Sequence, residues 1–179
     1  MGSWNSISDL PAGHVPSGAE LLAWSSLLKV APESSYVEKG ADETVTTSTT
    51  LSASHDADLQ VLVAANATYR FWIHLIYNSS TTADIKGQLS LPAGATAQWM
   101  MGGLDATATT NTGVQNIGPF TAASVPFWGG TGGDTVATPN GRITTSSTAG
   151  TFQFQWAQNT SSGSTIVRAG SHLWVVRVA

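Results

Sequence analysis

The chain has 179 residues, 41% hydrophobic and only 10% charged, with no cysteine and a net charge of −4 from 7 basic and 11 acidic residues. That length fits one domain with a short appendage, and a domain of this size buries enough surface to fold without metal or disulfide staples. The acidic balance and the lack of any Lys/Arg cluster argue against nucleic acid and anionic membrane as partners, and the missing cysteine excludes disulfides, thiolate chemistry and Cys-ligated zinc.

Sparse charge also bears on the fold. Surface helices rely on Lys and Glu as helix formers and as i,i+4 pairs, whereas this chain draws its polarity from Ser, Thr, Gly, Asn and Gln, which fit strands and turns. The opening residues lack the charged region and continuous apolar stretch of a signal peptide. Around Phe71–Tyr77, the longest apolar run is interrupted by His74 and is far too short to span a bilayer.

Residues 1–40 read as an arm. Pro11, Gly13 and Pro16 favour extended or irregular chain up to position 16. Ser17-Gly18-Ala19-Glu20 then matches a capping box, and Leu21, Trp24, Leu27 and Leu28 follow at helical spacing before Pro32. The expectation is one short α-helix over about 18–30. A helix this short is marginal in water, so its apolar face must dock on something. Trp4, Leu10, Val15, Leu21, Trp24 and Leu28 are accordingly the candidate contacts to another subunit or to a larger particle. Covering one end of the protein's own sandwich is the competing use of the same side chains.

Residues 41–179 read as a β-sandwich, jelly-roll-like, with a first strand already signalled at 35–39. Further strands are expected over 43–51, 59–64, 68–77, 83–91, 95–103, 142–147, 151–158, 165–168 and 171–178. In Phe152-Gln153-Phe154-Gln155-Trp156 the aromatics and amides alternate, the period of a half-buried strand. By contrast, Phe71-Trp72-Ile73-His74-Leu75-Ile76-Tyr77 is apolar at nearly every position, which places it in the deepest core or against another subunit. Pro92-Ala93-Gly94, Ala149-Gly150 and Ser162-Gly163-Ser164 mark turns. The Thr- and Gly-rich stretch 105–139 reads as a long loop holding one or two short strands. Its apolar island, Val125-Pro126-Phe127-Trp128, makes Phe127 and Trp128 the candidate ligand contacts.

Catalytic motifs are missing. There is no G-x-S-x-G elbow, and Ser171-His172 is a serine beside a histidine without the rest of a triad. The glycine run 129–133 lacks the Lys-Ser/Thr of a phosphate loop. His55-Asp56-Ala57-Asp58 reads as a solvated turn rather than a metal corner, because no second ligand cluster accompanies it. His74 reads as a core or interface histidine, with Tyr77 or Asp84 as its partner. No catalytic, cofactor or metal residue is therefore assigned, and the expectation is a non-enzymatic protein.

Two segments carry a resemblance: Ala41-Asp42-Glu43-Thr44-Val45-Thr46-Thr47-Ser48-Thr49-Thr50-Leu51, and Asp58-Leu59-Gln60-Val61-Leu62-Val63-Ala64-Ala65-Asn66-Ala67-Thr68-Tyr69. So do Leu91-Pro92-Ala93-Gly94-Ala95-Thr96, Gln155-Trp156-Ala157-Gln158-Asn159-Thr160-Ser161 and Val167-Arg168-Ala169-Gly170-Ser171. They resemble virion structural proteins of phages that infect actinobacteria, of the capsid-decoration, head-fibre and minor-tail kind. The resemblance implies a location on the outer surface of a phage particle. It also implies a major capsid protein or other virion protein as partner, and a homo-oligomer, favourably a trimer. A tail-tip module binding a host surface glycan is the alternative.

Overall fold

The computed structural model describes Ser17 and residues 33–179, apart from 53, 54, 56 and 111. The expected helix, and with it Trp4, Leu10, Val15, Leu21, Trp24 and Leu28, lies outside the described residues. Chain contacts group Glu33–Ala179 into one compact unit. Residues 34–38, placed with the arm above, thus contribute a strand to the sandwich.

That unit is all-β, a sandwich of two antiparallel sheets. The strands are β1 (Ser34–Glu38), β2 (Glu43–Thr46), β3 (Gln60–Val63), β4 (Thr68–Asn78), β5 (Ile85–Ser90), β6 (Thr96–Leu104) and β7 (Val114–Phe120). They continue with β8 (Phe127–Trp128), β9 (Asp134–Ala137), β10 (Asn140–Thr144), β11 (Gly150–Gln158), β12 (Ser164–Val167) and β13 (His172–Arg177). The larger sheet runs β1-β13-β4-β10-β6-β7, with β9 and β12 also paired to β4 and β2 paired to β12; the smaller runs β3-β11-β5-β8. Successive strands β3, β4, β5 and β6 fall alternately in the small and large sheets, and β10, β11 and β13 do so again. This interleaving gives the sandwich its jelly-roll character.

All ten strands expected from the sequence are present, nine of them within a few residues of the expected span, while the one expected over 43–51 ends at Thr46. The stretch 105–139 holds three more, β7, β8 and β9. Their short length and many Thr, Gly and Asn residues hide the alternation that marks a strand. Between β5 and β6 the Pro92-Ala93-Gly94 turn closes through Ala95 N–H donating to Pro92 O at 3.0 Å, with Gly94 at φ +75°, the position in this turn type that glycine takes without steric cost.

Between the sheets the core is aromatic. Phe71 on β4 meets Phe152 on β11 with ring centroids 5.1 Å apart, and Trp128 on β8 meets Phe154 edge-on at 6.3 Å. Trp99, Trp156, Tyr77 and Leu75 are buried beside them. The polar groups drawn inward are satisfied. Gln158, fully buried, accepts from Ser48 N–H at 3.0 Å and donates to Ser162 O at 2.9 Å. Buried Lys39 reaches Glu43 at 3.1 Å and Asp58 at 3.5 Å.

Candidate functional site

Every described carboxylate has a structural partner. Glu33 pairs with Arg177, Asp42 and Asp134 with Arg168, and Glu43 and Asp58 with Lys39. Asp105 accepts from Thr107 N–H and Oγ1–H at 2.7 and 2.6 Å, which holds its carboxyl below the usual carboxylate range. Glu38 accepts from the Tyr36 hydroxyl. Among the described residues no group of three His, Asp or Glu side chains is arranged to hold a metal ion. His55 instead touches the Trp156 carbonyl, Nδ1 to O at 3.3 Å.

Asp84 is the exception in environment. Its carboxylate accepts from Gly130 N–H at 2.9 Å and so ties the glycine run to β5, while the Tyr77 hydroxyl donates to Gly129 O at 2.6 Å. Burial raises the Asp84 pKa, only partly opposed by the Gly130 amide. A raised native pKa means the contribution is whole below the unfolded value near 4 and is lost as pH climbs through the native one. Asp84 also sits at φ +50°, a conformation that asparagine accepts readily. Asp84→Asn keeps the acceptor and removes the charge. It is expected to raise Tm at pH 7, with the gain vanishing by about pH 4. Calorimetry at the two pH values checks this.

Phe127 and Trp128 part company. Strand alternation turns Phe127 outward and Trp128 inward. Trp128 is fully buried, packs on Phe154 and donates from Nε1 to Gly102 O at 3.2 Å. Its expected role as a ligand contact is therefore corrected: the ring is core, and no ligand reaches it without opening the sandwich. Phe127 instead lines an open groove of about 460 Å³ with Met101, Asp105, Ile117 and Phe120.

The largest organised surface lies on β4. Of the two readings of its apolar run, burial on both faces is the one corrected, because the pattern alternates: Tyr69, Phe71, Ile73, Leu75 and Tyr77 point into the core, while Arg70, Trp72, His74 and Ile76 point away. Register aligns this outer row with its neighbours. Tyr36, Trp174, Trp72, Asn140 and Met100 stand side by side across β1, β13, β4, β10 and β6. In the adjacent rows stand Glu38, His172 and His74 on one side, and Ser34, Val176, Arg70, Arg142 and Gln98 on the other.

Tyr36, Trp72 and Trp174 are 55%, 43% and 46% exposed, although the two indoles touch at 5.1 Å. His74 stacks on His172 at 5.1 Å, and Tyr36 leans on His172 at 5.3 Å. The partner of His74 is thus His172 rather than Tyr77 or Asp84. Partial burial and the second imidazole both lower the His74 pKa, burial more. Reading the sequence alone misses this face as a unit because its rows are assembled from five strands distant in the chain. The one legible signal is the failure of alternation at Trp72 and Ile76.

No family model matches this chain. No curated protein matches it either. Among solved structures it is similar to one described as the structure of Eiger TNF from S. frugiperda, at 10% identity and a TM-score of 0.40, over 83% of this chain and 94% of that one. It is also similar to the structure of infectious bursal disease virus Gt strain, at 10% identity and a TM-score of 0.20, over 83% of this chain and 38% of that one.

Proposed function

We propose that this β-sandwich is a non-enzymatic structural protein of a phage particle, a decoration or minor capsid protein on its outer surface. In this reading it works as a homo-oligomer, favourably a trimer, held to the major capsid protein or another virion protein through residues 1–32. The observation that carries this reading is the outer face of β1, β13, β4, β10 and β6, where the rings of Tyr36, Trp72 and Trp174 stand side by side and half exposed, the kind of aromatic cluster that marks protein contacts. Two further features support it. The described carboxylates are engaged in structural contacts. The sequence resemblance to phage virion proteins supplies the location.

Quantitative mass spectrometry of purified particles tests the reading. The expected result is a copy number that is a fixed multiple of the capsid lattice, and a chain lacking residues 1–32 that no longer joins particles. Absence of the protein from particles overturns it. A second reading, a tail-tip module binding a host glycan, draws on the groove beside Phe127, where an exposed ring and the Asp105 carboxylate share one concave surface. Glycan binding lost in Phe127→Ala, with few copies per particle, would favour it.

A further inference from the structure

Arg70 and Arg142 are direct cross-strand neighbours on the outer face, in the register Arg142↔Arg70. Like charges so placed repel. Among the described residues neither has a carboxylate partner, whereas Lys39, Arg168 and Arg177 each do. Around them stand uncharged acceptors and donors: Gln98, Asn116 and Asn140 line a groove of about 370 Å³ that Arg70 borders.

Among the described residues of β1, β13, β4, β10 and β6 the one carboxylate on this face is Glu38, which accepts from the Tyr36 hydroxyl and has no described cation as partner. On the neighbouring β9, by contrast, Asp134 is held by Arg168. Glu38 stands three strands and two rows away from Arg142. At ordinary strand spacing and rise that is about 20 Å, far beyond the reach of either side chain. Within one molecule these charges cannot meet. Between them lie Tyr36, Trp174 and Trp72, and neither described lysine stands on this face. Tyr, Trp and Arg with Lys excluded is the composition of an interface centre, and Trp, Tyr and Arg are the residues that dominate binding energy there.

We propose that this face is the contact between copies of the chain, with the Arg70–Arg142 pair of one copy receiving Glu38 of another around a centre of Trp72, Trp174 and Tyr36. The face is complementary to itself: one end is cationic, the other anionic, and the middle is aromatic. Such a contact pairs two copies about a twofold axis, so the proposal rests on the assembly reading above but replaces its threefold contact at this face by a twofold one. Buried in a contact, the arginines gain the carboxylate they lack, and the half-exposed indoles lose the rest of their water.

The test is a charge exchange in the full-length protein, read by light scattering and sedimentation across a concentration series. Glu38→Arg and Arg142→Glu are each expected to weaken self-association by about tenfold or more, and Glu38→Arg/Arg142→Glu together to restore it to within about threefold of wild type. Both positions of change are exposed, and circular dichroism confirms that each variant is folded. Trp72→Ala/Trp174→Ala is expected to leave a folded monomer. If the protein is a stable oligomer that none of these variants disturbs, this face is not the seam, while the assembly reading stands. If the protein is monomeric at every concentration and absent from particles, both fall. A monomer whose Tm falls as far in Trp72→Ala as in Phe71→Ala shows the face covered within the molecule instead. Binding of an acidic oligosaccharide that is lost in Arg142→Glu, without any effect on association, assigns the arginines to a ligand. Either result overturns the proposal.

Discussion

Phe71→Ala is expected to cost about 3–5 kcal/mol and to lower Tm by about 10 °C, while its immediate neighbour Trp72→Ala costs about 1 kcal/mol or less. Phe71 is fully buried at the middle of β4, where its ring bridges the two sheets onto Phe152. Its cross-strand neighbours, Gly141 and Val175, cannot move in to fill the space, because both are fixed in ladders on either side. The alanine therefore leaves a cavity, and the lost transfer energy adds to the lost packing. Against a total stability of 5–15 kcal/mol typical of a domain, that is a large share. Trp72 lies on the opposite side of the same strand, nearly half exposed, with one indole contact to lose. Thermal unfolding of the two variants at low protein concentration, below any self-association, decides the parity of β4. Similar losses at both positions would mean that both faces of the strand are core.

That parity is where sequence and structure differ most instructively. Ten strands announce themselves through runs of alternation, and β11 does so most plainly, with Phe152, Phe154 and Trp156 all buried. On β4 the same logic leaves burial on both faces and a seam with another subunit open, and the burial pattern removes the first. Period-2 reading takes an apolar residue as a buried one, yet Trp72 and Ile76 belong to an outer surface that is itself apolar. An exposed aromatic face and a doubly buried strand give the same string of letters. Only the register of β13, which sets Trp174 against Trp72 and His172 against His74, separates them, and register is a property of pairing rather than of one segment.

Trp128 fails for the converse reason. It lies in a two-residue strand, too short to show any period, between segments rich in Thr and Gly, so composition makes it look exposed. What buries it is its ladder with Ile85 and the space left by glycines on the facing strands. A Cβ on Gly103 would lie 2.5 Å from the Trp128 ring, and one on Gly87 would lie 3.0 Å from it. Those small residues are visible in the sequence, but nothing there says which indole they make room for. The arginine pair is hidden likewise: Arg70 and Arg142 are 72 positions apart in the chain and become neighbours only through the β4–β10 ladder.

A glycine on that ladder governs both the fold and the face. Gly141→Ala is expected to destabilise the domain by about 3 kcal/mol, near the upper end of overpacking costs, and to lower Tm by about 10 °C. Gly141 pairs with Phe71 on one side and Trp99 on the other, and an added Cβ would stand 2.4 Å from Gln98 O and 2.6 Å from Trp99 Cβ. The obstruction on the β6 side includes backbone, so no rotamer change relieves it; β10 and β6 must separate. Two glycines serve as controls for cause. Gly40 has open space and ordinary φ, so Gly40→Ala is expected to be neutral or to stabilise by about 0.5 kcal/mol through the unfolded chain. Gly132 also has open space but sits at φ +78°, so Gly132→Ala is expected to cost about 1 kcal/mol. The order Gly141, Gly132, Gly40 in denaturation midpoints separates crowding from backbone strain; equal losses at Gly141 and Gly132 would remove crowding as the cause. Because Gly141 lies between Asn140 and Arg142, parting this seam also shifts the arginine that the association requires. Gly141→Ala is therefore expected to weaken self-association even at temperatures where it remains folded, whereas Gly132→Ala is not.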